Sequence, residues 1–161
     1  MKQNFKNMLA RNRWLKWVPN FLTLCNSLCG FAAILYSLTV YEKGLGGQER
    51  EMLTVFAISA WIILFAMVFD ALDGFAARIL NAASMHGLQM DSLSDMVTFG
   101  LAPATIAAIM THSLHPPPFW LNTAVYLLCA IYVGCAALRL ATYNVHALLE
   151  KHPQIDALFA A

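Results

Sequence analysis

The chain has 161 residues, 60% of them hydrophobic and 12% charged, with a mean hydropathy of +0.60. An average soluble domain is about 45–50% apolar and about 25% charged, so this balance excludes an ordinary water-soluble globule and points into a membrane. A formal net charge of +1 leaves no basic footprint for a nucleic-acid backbone.

Residues 1–17 interleave Lys2, Lys6, Arg11, Arg13 and Lys16 with Phe5, Met8, Leu9, Trp14, Leu15 and Trp17. The pattern predicts an amphipathic helix lying in the headgroup layer, with a solvated tail as the alternative. Pro19 and Asn20 open a first apolar run over residues 18–41, long enough to cross a bilayer. A short loop over 42–51 carries the turn formers Gly44, Gly46 and Gly47. A second run over 52–69 continues as helix to residue 80. A third covers about 88–110, and Pro116, Pro117 and Pro118 stop the loop after it. A fourth covers about 119–141. Residues 146–161 read as a polar, amphipathic tail, and Phe159-Ala160-Ala161 looks like the start of another apolar segment, as in a fragment of a longer protein.

The expectation is an all-α polytopic bundle of about four spans, with one transmembrane domain over 18–145. Basic residues orient such a bundle. Five in the N-terminal segment, with Arg78, Arg139 and Lys151, would lie inside, against Lys43 and Arg50 outside. The N-terminus then faces the cytoplasm. Cys25, Cys29, Cys129 and Cys135 lie inside apolar runs and read as small hydrophobes. The five histidines read as surface groups, and Trp120, just after three prolines, as an interfacial anchor.

Four of the nine acidic residues, Asp70, Asp73, Asp91 and Asp95, occur where the second and third runs meet the inner face. Asp70 and Asp73 are three apart and Asp91 and Asp95 four apart, so each pair shares one helix face. Two antiparallel helices with a short loop can aim both faces at one point. Carboxylates at membrane depth are costly unless compensated. Oxygen-only ligands select a hard divalent cation, Mg²⁺ or Mn²⁺, and four suit a pair of ions about 3.5–4 Å apart. Gly74, Ala76, Ala77, Ala82, Ala83 and Gly87 provide either room for a bulky nucleotide or tight helix packing.

These residues carry a resemblance. The pattern Asp70-x2-Asp73-Gly74-x2-Ala77-Arg78-x8-Gly87-x3-Asp91-x3-Asp95 resembles the signature of the CDP-alcohol phosphatidyltransferases, with every fixed position present. Its eight fixed residues would coincide by chance on the order of once per billion starting points or less. Pro19-Asn20-Phe21-Leu22-Thr23-Leu24-Cys25-Asn26 is similar to the opening of that family's phosphatidylserine synthase branch. So is the run from Asp91-Ser92-Leu93-Ser94-Asp95 through Phe99-Gly100-Leu101-Ala102-Pro103-Ala104. Arg139-Leu140-Ala141-Thr142-Tyr143-Asn144 resembles a further segment of the branch, with Thr142 and Tyr143 standing where it has arginine and phenylalanine.

The resemblance implies a six-helix bundle, of which this chain would lack the last helices, and pairing as a homodimer. It implies a multi-pass enzyme of the cell membrane with a cytoplasmic site that transfers a phosphatidyl group from CDP-diacylglycerol to L-serine. Asp70, Asp73 and Asp91 would ligate the metals, and Asp95 would both ligate and act as base. Asn20, Thr23, Gly74, Ala77, Arg78, Gly87 and, more weakly tied to the pattern, Ser84 would meet the donor. Arg139 either meets the serine carboxylate or anchors the helix at the interface, and Asn144 is a candidate for the ammonium. The competing readings are a sister enzyme using glycerol phosphate, inositol phosphate or choline, and a cation channel or transporter. The latter would not need Gly74, Ala77, Arg78 and Gly87.

Overall fold

In the first apolar run, Pro19, Thr23, Asn26, Gly30, Ala33, Ser37 and Val40 alternate in steps of four and three, and all seven are buried in α1 (Val18–Glu42). That repeat of 3.5 residues keeps one seam against a partner helix. The residues on it are small or polar, while Phe21, Leu24, Leu28, Phe31 and Leu35 stay exposed. The inversion is the one expected where hydrocarbon is the solvent, because burying a leucine against a helix gains little over leaving it in lipid.

The computed structural model describes residues 17–42, 48–79, 85–114 and 118–151. The interfacial helix expected over 1–17, apart from the exposed Trp17, lies outside them, as do Ser84, Ala82, Ala83 and the chain beyond Lys151. After α1 come α2 (Glu49–Ile79), α3 (Met85–Asp95), a π-helical segment (Met96–Leu101), α4 (Ala102–Leu114) and α5 (Phe119–Lys151). Among the described residues, four stretches are long and apolar enough to cross a membrane: Val18–Glu42, Glu49–Ile79, His86–Ser113 and Phe119–Ala147. The third span is therefore α3, the π segment and α4 taken together. The described residues are all-helical, and the chain is a multi-pass membrane protein.

Helices α1 and α2 form the most extensive pairing. An apolar cluster at one end joins Ala33 and Val40 of α1, Met52, Val55 and Phe56 of α2, and Ile106 and Ile109 of α4. The acidic residues lie at the other end, on the last turns of α2 and along α3. Exposed hydroxyls bond back into their own helices, as Thr123 does to Phe119 O at 2.9 Å and Thr105 to Leu101 O at 2.8 Å. The fourth span runs past its expected end near residue 141 to Ala147, and its helix continues to Lys151. No glycine or proline interrupts residues 142–151, so nothing in the local sequence stops it.

The π segment has a local cause and a distant one. The Ala102 N–H reaches back five residues to Val97 O. Pro103 has no N–H to offer the carbonyl one α-turn before it, that of Phe99. The Tyr132 hydroxyl of α5 donates to Phe99 O instead, at 2.8 Å. Thr98 is fully buried and donates to Asn26 O of α1 at 3.0 Å.

Gly30 sets the distance between α1 and this segment. A Cβ there would stand 2.5 Å from Thr98 Oγ1 and 2.7 Å from Thr98 Cα, a backbone atom that cannot step aside alone. Gly134 on α5 has open space around it. Gly30→Val is expected to destabilise the bundle by about 1–3 kcal/mol, the usual cost of overpacking. Gly134→Ala is expected to be neutral or to stabilise by up to about 1 kcal/mol. Thermal unfolding of the detergent-solubilised protein, followed by size-exclusion, checks the contrast.

Candidate active site

Asp70 and Asp73 extend the buried face of α2 by one turn, in the register set by Ser59 and Ala66. Asp91 and Asp95 lie one turn apart on α3 and face them. One carboxylate oxygen each from Asp70, Asp91 and Asp95 lies within 4.8 Å of the other two. Asp73 is not part of this triplet. It is 4% exposed and lies against Thr23 and Asp70 at the edge of the group. The expected meeting of two acidic faces is thus present, with three residues clustered and the fourth beside them.

The donor set fits a cation. Asp91 Oδ1 and Asp73 Oδ2 are buried without a hydrogen-bond partner. Buried polar atoms left in this way call for a partner, and for carboxylate oxygens a hard cation supplies it. No described lysine or arginine forms an ion pair with the group. A neutral donor to the group is the Asn26 side chain, whose Nδ2 donates to Asp95 Oδ1 at 3.3 Å.

A cavity of about 860 Å³ opens beside the cluster, between α2 and α5 and floored by the π segment. Asp70 and Asp95 line it together with Met67 and Ala71 of α2 and Phe99 and Gly100 of the π segment. From α5 come Tyr132, Cys135, Ala136, Arg139, Leu140 and Tyr143, spaced along one helix face. Arg139 therefore shares a chamber with two of the acids, and it makes no ion pair with a described residue. Tyr132, Cys135 and Tyr143 are not among the residues expected at the site. The sequence around the acids holds no thiol, yet the fold brings Cys135 to the same cavity. The spacing of these residues from Arg139 along a helix is the signal that could have found them.

The other expected contacts fall at different depths. Gly74 is exposed, and a Cβ placed there would meet nothing within 4 Å. Packing against a described helix therefore does not require a glycine at this position. Ala77 and Gly87 are half-buried and Arg78 is exposed, all on the turns flanking the acids. Asn20 is half-buried near the start of α1. Thr23 is buried, and its hydroxyl donates to Pro19 O at 3.0 Å. Its carbonyl accepts from Ser94 at 2.8 Å, so this residue helps join α1 to α3. Asn144 is not among the residues lining the cavity; its Oδ1 accepts from Ser92 at 2.9 Å and ties α5 to α3.

Comparison with known proteins gives a consistent relationship. The family model described as CDP-alcohol phosphatidyltransferase matches residues 16–157. The chain is 35% identical over 133 residues to the CDP-diacylglycerol–serine O-phosphatidyltransferase of Bacillus subtilis, covering 81% of this chain and 63% of that one. It is 32% identical over 128 residues to the protein of the same name from Saccharomyces cerevisiae, covering 80% and 41%. A third such protein, from Helicobacter pylori, is 28% identical over 127 residues, covering 79% and 45%. This chain thus spans between about two fifths and just under two thirds of the length of these relatives. No solved structure matches it significantly. With the family model covering nearly all of the transmembrane bundle and the clustered aspartates inside it, the chain belongs to the CDP-alcohol phosphatidyltransferase family.

Proposed function

We propose that this chain carries the site at which a phosphatidyl group passes from CDP-diacylglycerol to L-serine, giving phosphatidylserine and CMP. The observation that carries the reading is the joint presence, around one cavity, of the Asp70–Asp91–Asp95 cluster and the Arg139 guanidinium, which has no ion-pair partner among the described residues. The serine acceptor is supported by the activity for which the three relatives are named. The cytoplasmic placing of the site is supported by the basic residues on that side. Pairing of two copies belongs to the same reading, supported by the family resemblance alone.

Asp70, Asp91 and Asp95, with Asp73 beside them, would hold the divalent cations, Mg²⁺ or Mn²⁺ and two in number. The chemistry such ions supply when bound is neutralisation of the charge on the pyrophosphate and on the departing CMP. Gly74, with open space over its backbone, leaves room for the nucleotide, and Ala77, Arg78 and Gly87 line its approach, with Asn20, Thr23 and Ser84 as the remaining donor contacts. Arg139 meets the serine carboxylate, a pairing for which guanidinium geometry is suited. Asn144, already accepting from Ser92, offers its amide as a secondary acceptor contact. Asp95 accepts the proton of the serine hydroxyl as its oxygen bonds to the β-phosphorus. The bond from that phosphorus to the CMP oxygen breaks, and the electron pair leaves with CMP. A hydroxyl is a weak acid, so the base acts during attack rather than before it.

The test is CMP release by the purified chain in lipid vesicles with CDP-diacylglycerol, Mn²⁺ or Mg²⁺ and a panel of alcohols. Release with L-serine, abolished by chelator, is expected. Release with inositol phosphate but not serine would move the chain to a sister activity, and metal flux without CMP would remove it from transfer chemistry. For Asp95→Asn, turnover is expected to fall by about 10²–10⁴-fold while radiolabelled donor still binds. Arg139→Ala is expected to raise the serine KM by about 10- to 100-fold, the loss of one charge-assisted contact, with the donor KM little changed. Equal effects on both substrates would return Arg139 to an anchoring role.

A further inference from the structure

Asn26 is an exception on its seam. Gly30, Ala33 and Ser37, which follow it at the same register, are small, and packing α1 closely needs nothing larger. Asn26 is nevertheless an amide with 0% exposure, and its Oδ1 is buried with no partner. Such an orphaned oxygen is costly in hydrocarbon, so the residue is not there for packing alone. The other end of the amide is committed. Asn26 Nδ2 donates to Asp95 Oδ1 at 3.3 Å, across 69 positions of sequence. An ionised carboxylate accepts and cannot donate, so the amide must present its NH₂ to Asp95 and leave its oxygen behind.

The backbone around Asn26 is fixed just as firmly. Its carbonyl accepts from Thr98 at 3.0 Å, Thr23 O one turn earlier accepts from Ser94 at 2.8 Å, and Gly30 one turn later touches the Thr98 backbone. Three contacts in parallel register set α1 against α3 and the π segment. Asp95 stands at the junction of those two elements, where the helix changes winding. A carboxylate at such a junction needs an outside reference to keep one rotation.

We propose that Asn26 is a positioning residue: its side-chain amide locks the rotation of the Asp95 carboxylate, so that Asp95 meets both the cation and the acceptor hydroxyl. The inference rests on the reading of Asp95 as ligand and base, and deepens it. Partners of this kind, one step behind a ligand, typically change metal affinity or activity by about 10–100-fold when removed.

The experiment compares Asn26→Ala and Asn26→Leu, which lack the amide at two different volumes, with Thr98→Val, which removes a hydrogen bond between the same elements without touching Asp95. Mn²⁺ binding to the purified chain is read by electron paramagnetic resonance without donor or acceptor, so it does not depend on the transfer reaction being the right one. Both Asn26 variants are expected to bind Mn²⁺ at least about 10-fold more weakly, with Thr98→Val near wild type. In the CMP assay the Asn26 variants should lose kcat by about 10–100-fold and keep the serine KM. Wild-type Mn²⁺ binding in either Asn26 variant overturns the proposal. So does a Thr98→Val loss equal to theirs, or failure of both Asn26 variants to fold, since either makes the residue a packing element.

Discussion

Like charges gathered where water is scarce are the constraint on which the rest of this structure turns. Two ionised carboxylates at the 4.8 Å limit of the Asp70–Asp91–Asp95 cluster repel by about 3.5 kcal/mol at an effective dielectric constant of about 20. Three such pairs approach the whole stability of an ordinary domain, about 5–15 kcal/mol. The described residues offer one neutral amide, that of Asn26, in compensation. A group so arranged is stable only with protons or cations in it, and carboxylate oxygens buried without partners favour a cation that several of them can share. The helices of the bundle hold these repelling groups together.

The bundle's two ends are specialised. At one end Val40, Met52, Val55, Phe56, Ile106 and Ile109 make an apolar cluster that ties three helices together. At the other, small residues on α1 let α3 and the π segment come close enough for hydroxyl-to-carbonyl bonds at 2.8 and 3.0 Å. Apolar packing thus anchors the helices away from the acids, and polar contacts set the acids' positions. The fourth span does neither job strongly. None of its most apolar window is buried, and it stands across a cavity from α2 with Tyr132 bonded to the floor and Arg139 facing the chamber. The cavity thus lies between two of the acids and the only arginine of that helix.

Much of the site is legible in the sequence. The spacings of Asp70 with Asp73 and of Asp91 with Asp95 are local helical facts, and each pair does share a face. The grouping differs in one particular: Asp73 sits beside Thr23 at the edge, outside the close triplet. The π segment is not legible, because it depends on Pro103 withholding an N–H and on Tyr132, 33 positions from Phe99, supplying the missing donor. The spacing of Tyr132, Cys135 and Tyr143 puts them on the helix face of Arg139, but a cavity wall is defined by what does not fill the space opposite, and that the spacing does not reveal.

The helical class, the membrane setting, the four spans and the two acidic faces all follow from the order of the amino acids, since each is a run or a period within a single segment. The seam of α1 belongs with them, because a 3.5-residue repeat of small residues is a one-dimensional pattern. Packing between helices chose which three carboxylates close on one another, that Asn26 holds Asp95, and that Arg139 shares their cavity whereas Asn144 turns to Ser92. Those outcomes depend on how deep and at what rotation separate helices meet, and that is set by contacts such as Gly30 against Thr98, which join residues far apart in the chain.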